Sequence, residues 1–338
     1  MTATTTNRAI RLASRPVGMP TADDWDLTED PVGEPGDGEV LVEVMYVSLD
    51  PAMRGWISEA ASYARPVGIG EVMRAIAVGR VIASRDERFV DGEHVSGLLG
   101  VQEYAIVPAD GLQKVDPDVA PLPKWLGVLG MPGLTAYFGL LDIGRPEPDQ
   151  TVVVSGAAGA VGSLVGQIAT LQGARAVGIA GGPEKCAYLT GELGFDAAID
   201  YKNEDVRAAL RTTCPDGIDV YFDNVGGEIL DAALARLAHG ARVVICGAIS
   251  QYNATEGMRG PANYMSLLVN HASMTGFLVF HYASRYAEGA RQMGEWVAAG
   301  KLKSREDVVV GLERFPEALL KLFEGTNDGK LVIAVRES

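Results

Sequence analysis

Cysteine and histidine are scarce in this chain, and the few that occur form no disulfide or metal-binding pattern. The 338 residues include three cysteines, Cys186, Cys214 and Cys246, and four histidines. The cysteines are odd in number and far apart, and neither a CxxC nor an HExxH spacing occurs. We therefore expect no disulfide framework and no metal site.

Basic residues are also in short supply. Lys and Arg number 29 against 44 Asp and Glu, which gives a formal net charge of -15. This balance argues against binding to nucleic acid or to an anionic membrane through bulk electrostatics. It still allows a small anionic ligand to bind where donors are clustered locally.

Apolar runs of the membrane-spanning type are missing as well. The N-terminal segment MTATTTNRAIRLASRP lacks the apolar core of a secretory signal. Two long uncharged stretches, 125–141 and 262–280, are interrupted by GMPG and by Asn263, Asn270 and His271. We expect a cytoplasmic protein without a membrane partner.

The pattern of the chain changes near residue 125. Before it, alternating or apolar segments separated by Gly, Pro and Asp predict the strands of a β-rich domain. These segments are 39–49, 75–84, 93–99 and 102–108.

From Thr151 onward, short apolar strands alternate with helical segments, which is typical of a doubly wound parallel sheet. The helices are predicted near 159–171, 184–193, 203–213 and 228–237. A closing strand in ASMTGFLV and a long helix over 282–299 follow. The remaining strand, short helix and strand are expected to return to the first β domain.

The segment VVVSGAAGAVGS, residues 152–163, follows a strand and opens a helix. Ala157, Gly159 and Gly162 take the three positions of a GxGxxG pattern, with alanine replacing the first glycine. The second position lets the backbone approach a pyrophosphate, and the third lets helix and strand pack closely. The strand–loop–helix context predicts dinucleotide binding.

The next strand ends in AGGPEK, about 20 residues beyond Gly162, where NAD-binding proteins carry an acidic residue. Gly181 and Gly182 leave room for a 2′-phosphate, and Lys185 offers a charge-assisted donor. We predict NADP(H) rather than NAD(H) as the cofactor. A solvated lysine at a helix start is the alternative explanation.

Together these motifs resemble the medium-chain dehydrogenase/reductase superfamily. Within it, the chain is most similar to the zinc-free, NADP-dependent alkenal and one-double-bond reductases, which include prostaglandin reductases and curcumin-reductase-like proteins. The resemblance covers nearly the whole chain and includes LDPAMRGW (49–56), LGMPGLTAYFGLLDIG (129–144), YFDNVGGEILD (221–231) and VICGAISQYN (244–253).

The resemblance implies an α/β protein with two domains. A GroES-like, β-rich catalytic domain would comprise residues 1–125 and 303–338, and a Rossmann NADP-binding domain residues 126–302. The active site would lie in the cleft between them. A homodimer is also implied, with ASMTGFLV as a candidate edge strand.

The resemblance also assigns residues to the cofactor site. These are Gly159, Ala160, Val161, Gly162, Lys185, Tyr201, Asn224, Cys246, Tyr252, Phe277, Leu278, Val279 and Asn327. Lys185 and Tyr201 would hold the 2′-phosphate. Plainer explanations stay open: Tyr201 as a strand-end aromatic, and Asn224 and Asn327 as turn formers. We interpret Cys246 as a backbone contact and not as a nucleophile.

The implied activity is that of an oxidoreductase acting on CH–CH groups, which reduces the conjugated C=C bond of α,β-unsaturated ketones and aldehydes without metal. Hydride reaches the β-carbon, charge develops on the carbonyl oxygen, and a proton reaches the α-carbon. Tyr252 is the candidate catalytic hydrogen-bond donor, with a pocket-wall role as the alternative. Ala52, in DPAMR, replaces a family tyrosine of the substrate pocket, so we expect a larger or differently shaped pocket.

Two other functions fit the same sequence. One is a quinone oxidoreductase of the same superfamily, which NADPH turnover on quinones against enones would distinguish. The other is a non-catalytic NADPH-binding protein, which would bind the cofactor tightly without oxidising it.

Overall fold

The structure, a computed structural model, describes residues 5–60 and 62–336 of the chain. The chain folds as two compact units. The first unit combines Met1–Leu126 with Glu306–Ser338, and the second is Gly127–Arg305. The domain boundaries predicted from the sequence lie at 125/126 and at 302/303. The functional roles attached to the two domains stay predictions.

Strands and α-helices are numbered in chain order. The strands are β1 (Thr6–Leu12), β2 (Trp25–Pro31), β3 (Glu39–Ser48), β4 (Ile76–Ser84), β5 (His94–Leu98), β6 (Tyr104–Pro108), β7 (Gln113–Val115), β8 (Thr151–Ser155), β9 (Arg175–Ala180), β10 (Ala197–Asp200), β11 (Ile218–Asp223), β12 (Leu237–Ile245), β13 (Ser273–Gly276), β14 (Glu306–Val310) and β15 (Lys330–Ala334). The helices are α1 (Met53–Trp56), α2 (Met131–Phe138), α3 (Gly162–Leu171), α4 (Pro183–Gly191), α5 (Val206–Thr213), α6 (Gly227–Leu234), α7 (Met265–Val269), α8 (Tyr286–Ala298) and α9 (Phe315–Glu324).

The first unit is built around β3, a strand rich in buried valines. β3 pairs antiparallel with β4, β6 and β15 in a sheet of order β14-β15-β3-β4-β5-β7, with β6 attached to β3. The last segment, β14–α9–β15, returns to this sheet as a parallel pair. α9 buries its apolar face, and Phe315 packs edge-to-face on Trp25 with ring centroids 4.9 Å apart.

The second unit is a parallel six-stranded sheet of order β10-β9-β8-β11-β12-β13. Its central strand β8 is buried on both faces, since Val152, Val153 and Val154 are all fully inaccessible. Apolar clusters cover the two faces of the sheet, which is why its strands read as apolar runs. The predicted α/β class with a doubly wound parallel sheet is confirmed.

Several predicted elements are shorter than expected; α5, for example, begins at Val206 and not at 203. α3 begins at Gly162 and not at 159, because residues 156–161 form the turn after β8. The long helix begins at Tyr286, after a 3-10 segment over Val279–Arg285. β13 covers Ser273–Gly276 alone; all four residues are exposed, whereas Phe277 and Val279 turn inward.

The two uncharged stretches belong to this fold. Stretch 125–141 contains α2, and stretch 262–280 contains α7 and β13. Across the described residues, no helix combines the length and the apolarity needed to span a bilayer.

Candidate cofactor site

The turn after β8 has the backbone geometry that the glycine pattern predicts. Gly156 adopts φ +60°, and its carbonyl accepts the Gly159 N–H at 3.0 Å. A Cβ on Gly162 would lie 2.4 Å from the Gly156 oxygen, so glycine is required for α3 to approach the strand. A Cβ on Gly159 would meet that oxygen at 3.2 Å and otherwise point into open space.

This turn fits a dinucleotide pyrophosphate. Ser163 N–H donates to the Gly159 carbonyl at 3.0 Å and Leu164 N–H to the Val161 carbonyl at 3.1 Å, so α3 starts directly from this turn, and the N-terminal end of a helix favours an anion. Ala157 takes the first glycine's position at no steric cost, because Gly178 stands opposite on β9. A Cβ on Gly178 would lie only 2.9 Å from that of Ala157.

A buried carboxyl group, which the sequence reasoning missed, joins the ends of β8 and β11. Asp223 is 1% exposed and accepts hydrogen bonds from Ser155 Oγ at 2.8 Å and Tyr221 Oη at 3.1 Å. The N–H groups of Val225 and Gly226 also donate to it, at 3.1 and 3.0 Å. Burial raises the pKa of Asp223, and these donors counteract part of that effect.

Asn224 lies directly beside residues 156–162, the turn predicted to bind the pyrophosphate, which we call the phosphate turn. Its backbone N–H donates to Ser155 Oγ at 2.9 Å, and its side-chain Nδ2 donates to the Ser155 carbonyl at 2.8 Å. A Cβ on Gly156 would lie 3.5 Å from the Cβ of Asn224. Asn224 therefore cross-links two strand ends, beyond forming the turn before Gly226.

The loop after β12 is attached to the same point. Cys246 N–H and Gly247 N–H donate to the Asp223 carbonyl at 2.9 and 3.1 Å, and Ile249 N–H donates to the Asn224 carbonyl at 3.2 Å. Burial and the Asp223 carboxylate raise the pKa of Cys246 to about 12. Its side chain is therefore a neutral thiol at physiological pH, consistent with a non-nucleophilic role.

Tyr252 folds back over this loop. Its hydroxyl oxygen accepts the Ala248 N–H at 3.2 Å, and a Cβ on Gly247 would lie 3.0 Å from that oxygen. A phenol can accept one hydrogen bond and donate another, so this contact is compatible with a donor role.

Phe277, Leu278 and Val279 leave the end of β13. Phe277 N–H donates to the Ile245 carbonyl at 3.1 Å, which places it next to Cys246. Phe277 and Val279 are buried, whereas Leu278 is half-buried. A Cβ on Gly139 would lie 3.1 Å from the Phe277 ring, so this side chain is packed in place.

The ends of β9 and β10 carry the residues predicted for the 2′-phosphate. Lys185 lies in the first turn of α4, and Tyr201 directly follows β10. Asp200 Oδ1 accepts the Gly182 N–H at 2.7 Å, and Asn203 Nδ2 donates to Oδ2 at 2.7 Å. Hydrogen bonds from Asn203 and Gly182 lower the pKa of Asp200, so it is ionised.

Ala52 and Asn327 belong to the first unit. Ala52 precedes α1 and is partly buried against the apolar core. Asn327 Nδ2 donates to the Gly329 carbonyl at 2.9 Å, a local bond that also fits a simple turn. Asp50, two residues before Ala52, is held by Lys330, a contact that the sequence reasoning did not foresee.

The strand order brings most predicted residues to one edge of the parallel sheet. The segments at its carboxyl ends are 156–162 after β8, 181–185 after β9, Tyr201 after β10, Asn224 after β11, 246–252 after β12 and 277–279 after β13. This is the edge at which open α/β sheets bind their ligands.

Comparisons with known proteins place the chain in a family. Models described as the N-terminal domain of oxidoreductase and as zinc-binding dehydrogenase match residues 8–115 and 160–296. The chain is 45% identical to the NADPH-dependent curcumin reductase of Escherichia coli (strain K12), over 97% of both chains. It is 40% identical to the 2-alkenal reductase (NADP(+)-dependent) of Nicotiana tabacum, again over 97% of both.

A solved structure agrees with this similarity. The crystal structure of CurA from Vibrio vulnificus in complex with NADPH matches with a TM-score of 0.93 at 48% identity, covering 98% of this chain and 100% of that one. The chain belongs to the NADP-dependent double-bond reductases of the medium-chain dehydrogenase/reductase superfamily.

Membership of the double-bond reductase family confirms the predicted family, the GroES-like and Rossmann fold class, and NADP(H) as the cofactor. One family model carries zinc in its description. Over residues 5–60 and 62–336, no three His, Cys, Asp or Glu side chains come together as a metal-binding group. The individual site residues stay predictions.

Proposed function

We propose that the protein catalyses the NADPH-dependent reduction of the conjugated C=C bond of α,β-unsaturated ketones and aldehydes. The observation that carries the proposal is the attachment of the Tyr252 loop to the phosphate turn. Asp223 and Asn224 join the two through hydrogen bonds to Ser155 on one side and to residues 246, 247 and 249 on the other. The Tyr252 loop and the turn proposed to bind pyrophosphate are thus joined by hydrogen bonds at one edge of the sheet.

When bound, NADPH supplies the hydride that the substrate's β-carbon accepts. The electron pair of the C=C bond then moves toward the carbonyl oxygen, where Tyr252 donates a hydrogen bond to the developing charge. Protonation of the α-carbon completes the addition of one hydride and one proton. In this proposal no metal ion is required, because the charge is stabilised by hydrogen-bond donors.

The remaining residues bind and orient the cofactor. Residues 159–162 receive the pyrophosphate, and Lys185 with Tyr201 receives the 2′-phosphate. Asn224, Cys246 and residues 277–279 line the nicotinamide end, which their common position at the carboxyl edge supports. Residues 126–302 act as the NADP-binding domain, and residues 1–125 and 303–338, with Ala52 and Asn327, as the catalytic domain.

We also propose a homodimer formed through β13. This strand ends the six-stranded sheet, and all its residues are exposed. Nearby on α7, Leu268 and Val269 are 74% and 77% exposed. A second copy pairing along β13 would cover both the open strand edge and these side chains.

A cytoplasmic location is supported by the three free thiols, which suit a reducing compartment.

The test is a turnover panel of conjugated enones, enals and quinones with NADPH, followed by product identification. We expect saturated ketones and aldehydes as products. Turnover restricted to quinones would support the quinone oxidoreductase alternative instead. Tight NADPH binding without turnover of any substrate would support a non-catalytic role.

A further inference from the structure

We infer that Gly181 is a specificity-determining residue, because the Tyr201 ring packs directly against it. We call this packing contact the seat of Tyr201. A Cβ built on Gly181 would lie 2.9 Å from each of Cε1, Cζ and Oη of Tyr201. The hydroxyl-bearing edge of the ring therefore lies directly over the Gly181 Cα. This inference rests on the proposed role of Tyr201 and Lys185 at the adenosine 2′-phosphate.

The seat is one of three successive contacts between the ends of β9 and β10. Tyr201 N–H donates to the Ala180 carbonyl at 3.1 Å. The Tyr201 ring then covers Gly181, and Asp200 Oδ1 accepts the Gly182 N–H at 2.7 Å. Backbone, ring and carboxylate together fix Tyr201 relative to the segment that leads into α4, which carries Lys185.

The negative charge of Asp200 is directed into the turns and not toward a ligand phosphate. Its carboxylate accepts hydrogen bonds from Gly182 N–H, from Lys202 N–H at 3.0 Å and from Asn203 Nδ2 at 2.7 Å. Asp200 is 6% exposed, whereas Tyr201 is 40% exposed. At the ends of β9 and β10, the Tyr201 phenol is therefore the exposed group. The Asp200 carboxylate is buried and bonded to the turns.

Glycine at 181 consequently has two effects on cofactor choice. It leaves room for a phosphate, as the sequence indicates, and it also lets Tyr201 reach the position where that phosphate is proposed to bind. An acidic residue at 181 would repel the phosphate and push the phenol away at the same time. Through the second effect alone, any side chain at this position should weaken the preference for NADP(H) over NAD(H).

Gly181→Ala tests the inference without threatening the fold. Tyr201 is 40% exposed, so its ring can swing toward solvent and relieve the clash at little cost. We expect the dissociation constants of NADPH and 2′,5′-ADP, measured by calorimetry, to rise about tenfold or more, as for loss of one hydrogen bond to a charged group. Those of NADH and 5′-AMP should stay unchanged. Gly191→Ala, at a helical glycine with open space around its Cα, is the matched control.

A double-mutant cycle with Tyr201→Ala separates this inference from the proposed function. We expect Tyr201→Ala to weaken NADPH binding, and Gly181→Ala to add nothing in that background. If Tyr201→Ala leaves NADPH binding unchanged, the proposed 2′-phosphate site is wrong and the seat has no role. If Tyr201→Ala weakens binding but Gly181→Ala does not, or if the two effects simply add, the phosphate site stands and the Gly181 inference is overturned.

Discussion

Lys330 Nζ lies 2.8 Å from Asp50 Oδ1 and 2.8 Å from the Leu49 carbonyl oxygen, and the Lys330 side chain is 3% exposed. This buried pair links β15, at the end of the chain, to the turn that leads from β3 through Ala52 into α1. A charged group buried to this extent is tolerated because both acceptors are in place. The pair thus fixes the segment to which the resemblance assigns the substrate pocket.

Lys330→Ala should lower the free energy of unfolding by about 3 kcal/mol, because it removes the donor to Asp50 Oδ1 and to the Leu49 carbonyl and leaves Asp50 with the Ser48 hydroxyl and no counter-charge. Urea denaturation measures the change. The control is Lys114→Ala, which removes an exposed ion pair to Glu93 whose side chains are 52% and 30% exposed. That variant should lose less than about 1 kcal/mol. Equal losses in the two variants would contradict a structural role for the Lys330 pair.

Lys185→Ala should weaken the preference for NADPH over NADH. Loss of a charge-assisted donor to the 2′-phosphate is expected to raise the NADPH KM about tenfold and leave the NADH KM unchanged. Steady-state kinetics with both cofactors provides the measurement, with the exposed Lys301→Ala as control. An unchanged NADPH/NADH ratio would mean that Lys185 is a solvated surface lysine.

Tyr252→Phe distinguishes a hydrogen-bond donor from a pocket wall, because phenylalanine keeps the ring and removes the hydroxyl. We expect kcat on an enone to fall about tenfold or more, as when a donor to a developing oxyanion is lost. NADPH affinity should stay near the wild-type value if the loop keeps its hydrogen bonds to Asp223 and Asn224. Full turnover by Tyr252→Phe would assign Tyr252 to the wall of the pocket.

The cysteines should react slowly with alkylating reagents in the folded protein. Burial raises the pKa of Cys246 from 9.0 to about 12 and that of Cys186 from 9.0 to about 11. At pH 8 the thiolate fractions therefore fall about a thousandfold and a hundredfold. Peptide mapping after iodoacetamide treatment, folded against urea-unfolded, measures both rates.

The same shifts give a pH dependence of stability whose sign is fixed. Folding raises the pKa values of both thiols from 9.0 to about 11 and about 12. Their contribution to the free energy of unfolding is therefore fully present below pH 9 and is lost as the pH rises through these folded-state values. Rapid labelling of Cys246 at pH 8 would contradict its burial beside Asp223.

Val269→Glu should convert the proposed dimer into a monomer, because it places a charge on the exposed apolar patch next to β13. Sedimentation equilibrium measures the mass. Val119→Glu changes a valine of similar exposure, 69%, in the other unit and should leave the dimer intact. A wild-type protein that sediments as a monomer would refute the assembly outright.

The sequence predicted the parts of this molecule that depend on local pattern. The mostly apolar sequences of β8 and β11 indicate strands that are buried on both faces of a parallel sheet. The glycine spacing at 159 and 162 indicates the geometry of the turn after β8. Both signals are contained within about ten residues of chain, so the fold class and the phosphate turn could be read without a structure.

Contacts between distant residues could not be predicted in this way. Asp223 is one of 44 acidic residues, and its role depends on burial against Ser155, 68 positions earlier. Lys330 and Asp50 are separated by 280 positions, so no spacing rule links them. β2 is almost wholly exposed, with the sequence WDLTEDP, and only its pairing with β1 makes it a strand.

Hydride transfer to the β-carbon is the central claim, and isotopic labelling tests it most directly. The wild-type protein is incubated with an α,β-unsaturated ketone and NADPH that carries deuterium at its transferable C4 position, and the product is analysed by NMR. The proposed chemistry predicts a saturated ketone with deuterium at the β-carbon and solvent hydrogen at the α-carbon. An allylic alcohol with deuterium at the carbonyl carbon would contradict it.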